Sequence, residues 1–293
     1  MSISEKYFLR FKDISLHGFL SSVNAIITIS SLIILSFFYS PLHFSLYGIF
    51  LSTSSVLLIF CKSNLDKLML TVKSNKDENL CINMFILNFF LLSSLIFFVS
   101  IIIYFFDINF YFLNQWSALL TFVLLIYIFS NSFLILMNSY FIKNANLVIY
   151  NLTIIFSQII FFTLAFINAK LNFYFFNYTD LVIFLTISKL VVILIFYKFF
   201  IKKINFRFNL EINYLALVKK FKNFYFFGSF TDLSLSIKDF VFLNFIQFAF
   251  GVNILGQFVF FQRTFMSILS LFDKALGDVY VRNVNSLIIK KKK

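Results

Sequence analysis

Eight stretches of this 293-residue chain are apolar and long enough to cross a lipid bilayer. A membrane-spanning helix needs about 20 mainly apolar residues. Because 61% of the residues are hydrophobic and only 13% are charged, the chain has more apolar surface than a soluble core can bury. The sequence therefore predicts an all-α integral membrane protein with about eight transmembrane helices. The predicted spans are 17–38, 45–61, 81–106, 117–141, 147–167, 181–200, 224–250 and 254–272.

Lysine and arginine lie almost entirely on one side of these predicted spans. Of the 25 basic residues, 21 fall in the N-terminus, in the connections after the second, fourth and sixth spans, and in the tail, against Lys170 on the other side. Cytoplasmic loops of membrane proteins carry such an excess of positive charge. We therefore expect both termini to be cytoplasmic. The basic loops would face anionic membrane lipids, so the net charge of +13 requires no nucleic acid partner.

The cysteines and histidines indicate neither a disulfide nor a metal centre. Cys61 and Cys81 lie at the inner ends of adjacent spans, where we expect reduced thiols that pack as small apolar residues. His17 and His43 lie at opposite ends of one span, too far apart to share a metal ion. The sequence therefore predicts no metal site and no cofactor.

The loops give little support to an enzyme. The outer connections are short, and their charged residues are Asp107, Lys170 and Asp180. The chain has no phosphate-binding glycine loop and no nucleophile elbow. The longest inner connection, 201–222, is basic and amphipathic, and we expect it to separate two lobes and to act as a hinge region.

Charged residues inside the spans are the strongest functional candidates, because charge at membrane depth is costly. Five of them are the candidates: Lys189 in the sixth span, Asp232, Lys238 and Asp239 in the seventh, and Arg263 in the eighth. Three cations against two anions leave the membrane interior net positive, which suits an anionic lipid phosphate. A guanidinium also matches the geometry of phosphate or carboxylate. The alternative for each residue is a structural pairing with other buried groups.

Polar residues recur at helical spacing in two of the spans. A cavity wall and a hydrogen-bonded contact between helices both produce such stripes, and the spacing leaves both open. The first span carries Ser21, Asn24, Thr28 and Ser31. The seventh carries Ser229, Asp232, Ser236, Asp239 and Gln247 on one face, and Thr231, Ser234 and Lys238 on nearly the opposite face.

Two passages carry a family resemblance. Leu32–Leu70 contains a helix, a short turn with Pro41, and then Ser45 and Tyr47. Phe221–Val281 contains Phe250, Gly251, Gly256, Phe258, Gln262 and Arg263. These passages resemble the starts of the two lobes of the oligosaccharide flippases, the polysaccharide-biosynthesis branch of the superfamily that contains the multidrug and toxin extruders. Ser45 stands where that family usually has glycine, and Phe258 stands where it usually has tyrosine.

The two passages also resemble each other. Ser45 and Tyr47 align with Gly256 and Phe258 at one offset of 211 residues, which indicates a parallel repeat of two lobes. The family resemblance implies a transporter of 12 to 14 helices whose two lobes surround a central cavity. On that basis 1–222 form a six-helix N-terminal lobe and 223–293 form the first two helices of a second lobe. We therefore expect an incomplete version of the fold, from a truncated or frameshifted gene.

The resemblance implies transport of a lipid-linked oligosaccharide of the undecaprenyl-diphosphate type across the bacterial inner membrane, for O-antigen or capsule assembly. Arg263, Lys238 and Lys189 would offset the diphosphate. Sugar hydroxyls, or a coupling proton or sodium ion, would bind the stripes with Asn24, Thr28, Asp232, Ser236 and Asp239. Other polysaccharide-assembly membrane proteins are expected partners. The alternatives are a multidrug or cation exporter of the same superfamily, a membrane polysaccharide polymerase, and a fragment without activity.

Overall fold

The computed structural model describes residues 3–72, 75–105, 118–144, 146–171, 177–204 and 228–269. These ranges are almost wholly helical and contain no β-strand, so the predicted all-α fold is confirmed. The helices are α1 (Ile3–Ser36), α2 (Pro41–Lys62), α3 (Leu65–Thr71), α4 (Asn75–Phe105), α5 (Ala118–Lys143), α6 (Leu147–Leu171), α7 (Asp180–Ile204), α8 (Ser229–Phe250) and α9 (252–269), with a short 3₁₀ turn at Asn177–Thr179.

Seven of these helices are long and apolar enough to cross a membrane, namely α1 from Gly18 onward, α2, and α4 to α8. The protein is therefore a multi-pass membrane protein. The eighth predicted span, 254–272, falls on α9, which is not among the seven, and its last residues lie outside the described ranges. Most of the predicted lobe boundary at 201–222 also lies outside them.

Local sequence explains where α2 begins and ends. It starts at Pro41, four residues before the predicted span, because proline is well accommodated in the first turn of a helix. It ends at Lys62, because Ser63 and Asn64 both adopt the left-handed conformation, with φ of 40° and 57°. These two residues turn the chain into α3. Gly251, with φ of 85°, makes the corresponding break between α8 and α9.

Helix α2 is the centre of the bundle, since it packs against α4, α5, α7 and α8. Helices α5, α6 and α7 pack on one another, and α1 lies against α6. The largest fully buried side chains are aromatic, namely Phe50, Phe85, Phe141 and Phe200. Other large apolar side chains, such as Phe97 and Leu194, lie exposed on the outer surface, as expected for helices surrounded by lipid.

Polar contacts fasten each end of the bundle. At the end that carries the lysines, here called the basic end, Lys143 of α5 forms an ion pair with the buried Glu78 of α4. At the opposite end, the Tyr39 hydroxyl donates a hydrogen bond to the carbonyl oxygen of Ala165 at 2.9 Å. There, Asn168 Nδ2 also donates to the buried Asp180 carboxylate at 2.9 Å. These contacts fix the ends of the helices that surround the site described next.

Candidate functional site

A cavity of about 510 Å³ lies among α1, α2, α5, α6, α7 and α9. Its wall is partly apolar, with Leu32, Leu134 and Phe161 among the lining residues. The rest of the lining is polar or charged: Asn24, Thr28, Ser31, Tyr47, Asn131, Asn138, Ser139, Tyr150, Gln158, Lys189, Arg263 and Ser267. Along α5 the lining runs from Asn131 to Ile142, one residue before that helix ends, so the cavity extends through the basic half of the bundle.

The charge of the cavity wall is positive. Lys189 of α7 and Arg263 of α9 both line it, and none of its lining residues is acidic. The Nε atom of Arg263 is buried and has no hydrogen-bond partner in the part of the chain that the structure describes. A buried donor without a partner is costly. A ligand with an acceptor oxygen would satisfy it.

The polar stripe of α1 faces this cavity. Asn24, Thr28 and Ser31 all line it, whereas Ser21 is buried without lining it. The Thr28 hydroxyl donates to the carbonyl oxygen of Asn24 at 2.8 Å, so its hydrogen is used within the helix while its lone pairs remain available. Asn24 Oδ1 is buried and accepts no hydrogen bond from the described residues. The spacing of the α1 stripe was compatible with a cavity wall or with a contact between helices. Asn24, Thr28 and Ser31 form part of a cavity wall.

Helices α5 and α6 contribute polar residues that were not among the predicted pathway residues. Asn131 and Asn138 are seven residues apart on α5, and Tyr150 and Gln158 are eight apart on α6, so each pair shares a helix face. Asn138 Oδ1 accepts a hydrogen bond from Thr153 at 2.7 Å, which fixes the amide at the wall. The helical spacing of these residues is visible in the sequence. It could not identify them as cavity residues, because polar residues in a span also occur at contacts between helices.

The four predicted pathway residues on α8 are not among the cavity-lining residues. Asp232 lies at the basic end, where its carboxylate pairs with Lys67 of α3 at 3.0 Å and with Lys62 at 3.9 Å. Ser236 lies half-buried on the same helix. Lys238 and Asp239 pair with each other at 3.6 Å on the exposed side of α8. The polar stripe of α8 thus begins at a contact with α3.

Helices α2 and α9 make close contacts towards the opposite end of the bundle. A Cβ atom on Gly48 would lie 2.9 Å from Val259 Cγ1, and one on Gly256 would lie 2.8 Å from Pro41 Cα. Gly256 therefore allows α9 to approach the backbone of α2, and Gly48 leaves room for the Val259 side chain. The rings of Phe44 and Phe260 meet edge to face beside them, with centroids 5.5 Å apart.

This crossing extends the sequence repeat. At the offset of 211 residues, Gly48 corresponds to Val259, and the two residues are in contact. Pro41, where α2 begins, corresponds to residue 252, where α9 begins. The predicted repeat thus pairs α2 with α9, and the two helices are in contact.

Comparisons of the chain with family models, with curated proteins and with solved structures gave no match. The charge and the lining of the cavity are therefore the features that indicate its function.

Proposed function

We propose that this chain is a flippase for a lipid-linked oligosaccharide of the undecaprenyl-diphosphate type. It would act in the bacterial inner membrane, with both termini cytoplasmic, and serve surface-polysaccharide assembly. The observation that carries the proposal is a membrane-embedded cavity lined by Lys189 and Arg263 and by no acidic side chain. Cations at membrane depth are costly unless they have a function or a partner. An anionic substrate would give Arg263, whose Nε lacks a partner among the described residues, such a partner.

The headgroup chemistry supports a phosphate. The planar guanidinium of Arg263 suits paired hydrogen bonds to phosphate oxygens. Its buried Nε lacks a hydrogen-bond partner among the described residues, so a phosphate oxygen would remove an unsatisfied donor. Lys189 adds a second positive charge on the same cavity wall.

The remaining lining supports a sugar. Amide, hydroxyl and phenol groups of Asn24, Thr28, Asn131, Tyr150 and Gln158 supply donors and acceptors of the kind that bind hydroxyls. A volume of about 510 Å³ lies within the range of small-ligand sites, about 300–1,000 Å³. The cavity would hold the diphosphate and the sugar next to it. The lipid tail would stay in the bilayer.

Alternating access is the transport mechanism that we propose. The cavity extends towards the basic end, and the α2–α9 crossing lies towards the opposite end. We assign this arrangement to the state that loads substrate from the cytoplasm. Separation of α2 from α9 would release substrate on the other side, and a proton or sodium gradient would drive the cycle.

A cation exporter of the same superfamily is the first rival. Such a protein would need acidic side chains in its cavity to offset the cargo, and the described lining offers Lys189 and Arg263 instead. A membrane polysaccharide polymerase is the second rival. A polymerase would lengthen the glycan, whereas a flippase only moves the glycan across the membrane. Measuring the length of the glycan product therefore separates the two.

The test is transport by the full chain reconstituted in liposomes of bacterial phospholipid. The probe is a fluorescent undecaprenyl-diphosphate oligosaccharide, and a membrane-impermeant quencher reports the leaflet in which it lies. We expect Arg263→Ala to slow movement by roughly tenfold or more, because a hydrogen bond to a charged group contributes about 1.5–3 kcal/mol. Arg263→Lys should retain part of the activity, since it keeps the charge but loses the planar fork.

Lys170→Ala is the matched control. It also removes one cation, but Lys170 lies outside the cavity, near the rings of Phe38 and Phe166 at the opposite end. Its transport rate should equal that of the unmodified chain. Equal rates for Arg263→Ala and the unmodified chain would overturn the proposal, as would transport of an organic cation in place of the anionic lipid.

A further inference from the structure

An ion pair lies exposed near the middle of α8. Lys238 and Asp239 are the tenth and eleventh residues of this 22-residue helix, which is one of the seven candidate spans. At 1.5 Å per residue, both lie about 15 Å from either end of the helix. Their side chains are 70% and 55% exposed, and the pair they form at 3.6 Å is between neighbours on the same helix.

This position is a poor one for a surface that faces lipid. Charged side chains within the hydrocarbon region almost always face protein or a water-filled cavity. A lysine near the end of a span can extend its amine to the interface. Lys238 cannot, because its four-carbon stem is much shorter than the distance to either end of α8. Lys238 shares a helix face with the exposed Thr231 and Ser234, and Asp239 lies about 100° around the helix from it. This exposed surface of α8 therefore needs polar protein against it.

The repeat shows what kind of element covers this face. At the offset of 211 residues, α1 from Gly18 to Ser36 corresponds to 229–247, which lies within α8, and Thr28 corresponds to Asp239. Thr28 faces the cavity, and its helix is covered by α6. In the described part of the chain no counterpart of α6 lies over the face with Lys238 and Asp239. The missing cover is thus a transmembrane helix with polar groups at mid-depth.

We propose that this cover is α8 of a second copy of the chain. Lys238 and Asp239 are adjacent and of opposite charge, which makes the surface complementary to itself. A two-fold axis along the membrane normal would place Lys238 of each copy beside Asp239 of the other at the same depth. Two-fold homodimers with such self-complementary interfaces are the commonest protein oligomers. This inference does not depend on what the cavity transports.

Crosslinking in native membranes tests the interface directly. Ser234→Cys places one thiol one helical turn from Lys238 on the exposed face. Cys61 and Cys81, both buried, should not react. Leu91→Cys is the matched control, because Leu91 is 60% exposed on α4, also within a membrane span. We expect oxidation to give a disulfide-linked dimer for Ser234→Cys and monomer for Leu91→Cys. Photobleaching of single, labelled, otherwise unmodified chains in lipid should show two steps.

Charge complementation supplies the specific test. Lys238→Asp gives a surface with two acids, and Asp239→Lys gives one with two bases, so each alone should reduce the Ser234→Cys crosslink at least fivefold. When the two variants are expressed together with different tags, the mixed dimer should restore the crosslink. One-step photobleaching of the unmodified chain would overturn the proposal and assign the cover to another part of the chain or to another protein. So would a crosslink that both charge variants leave unchanged.

Discussion

Gly48 of α2 packs directly against Val259 of α9, the residue that corresponds to it 211 positions later in the chain. A residue that touches its own repeat counterpart lies next to the symmetry axis of the repeat. The repeat therefore predicts that a pseudo-two-fold axis passes between α2 and α9. At Gly256 an added side chain would meet the backbone of Pro41, and at Gly48 it would meet the Val259 side chain, so neither position of the crossing has room for one.

The first prediction concerns this crossing. Gly256→Ala should destabilise the protein by about 3 kcal/mol or more, because the new methyl group would overlap the carbonyl group of Pro41, which belongs to the backbone and cannot turn aside. The measurement is the thermal unfolding midpoint of the detergent-solubilised protein. A second measurement uses Met266→Cys, whose side chain lines the cavity. An impermeant maleimide added to one side of the membrane at a time reports the side from which the cavity can be reached.

Gly18→Ala is the control for that substitution. A Cβ atom at Gly18 would have no neighbour within 4 Å, and alanine is about 1 kcal/mol better than glycine inside a helix. This variant should be as stable as the unmodified chain or slightly more so. Equal unfolding midpoints for the two glycine variants would show that α2 and α9 do not meet as closely as described.

The second prediction concerns Glu78 and Lys143. Their side chains are only 6% and 16% exposed, and they join α4 to α5. Lys143→Met alone should cost about 3 kcal/mol, because it leaves the Glu78 carboxylate buried without its cation. Adding Glu78→Gln should recover most of that loss, since a neutral pair has no unpaired charge. Denaturation of the two single variants and the double variant measures the coupling, and additive losses would contradict this account.

The third prediction concerns an ion pair that is more exposed than Glu78 and Lys143. The pair between Lys67 and Asp232 joins α3 to α8, but the lysine side chain is 48% exposed and the aspartate 26%. Solvent weakens such pairs, so Asp232→Asn should cost no more than about 1 kcal/mol. High salt should reduce even that difference. A loss as large as that of Lys143→Met would mean that Asp232 is better shielded than its exposure indicates.

The fold was largely predictable, and the site was partly so. Span length and the scarcity of charge indicate the helices, and the rule that charge at membrane depth has a purpose led to Lys189 and Arg263, which share the cavity. The same rule led to Lys238 and Asp239, which do not line it. The energetic cost of a charge inside the membrane shows that polar groups must surround it. It does not show which helix supplies them, because that depends on how the helices pack. For the same reason, Asn131 and Asn138 could not be told from packing residues.

The fourth prediction separates function from stability at Asn24. Its Oδ1 is a buried acceptor without a donor among the described residues, so Asn24→Leu should stabilise the protein by about 1 kcal/mol by removing an unsatisfied group. If Asn24 binds substrate, the same change should slow transport between about twofold and tenfold, which is the value of one hydrogen bond.

Asn244 on α8 is the matched comparison. Its Oδ1 is likewise buried without a donor among the described residues, but Asn244 does not line the cavity. Asn244→Leu should therefore raise the unfolding midpoint and leave transport unchanged. If both variants gain stability and only Asn24→Leu loses transport, the unsatisfied acceptor on α1 is retained for the substrate. If neither loses transport, the polar stripe of α1 serves packing alone, and the cavity must bind its substrate through Lys189, Arg263 and the side chains of α5 and α6.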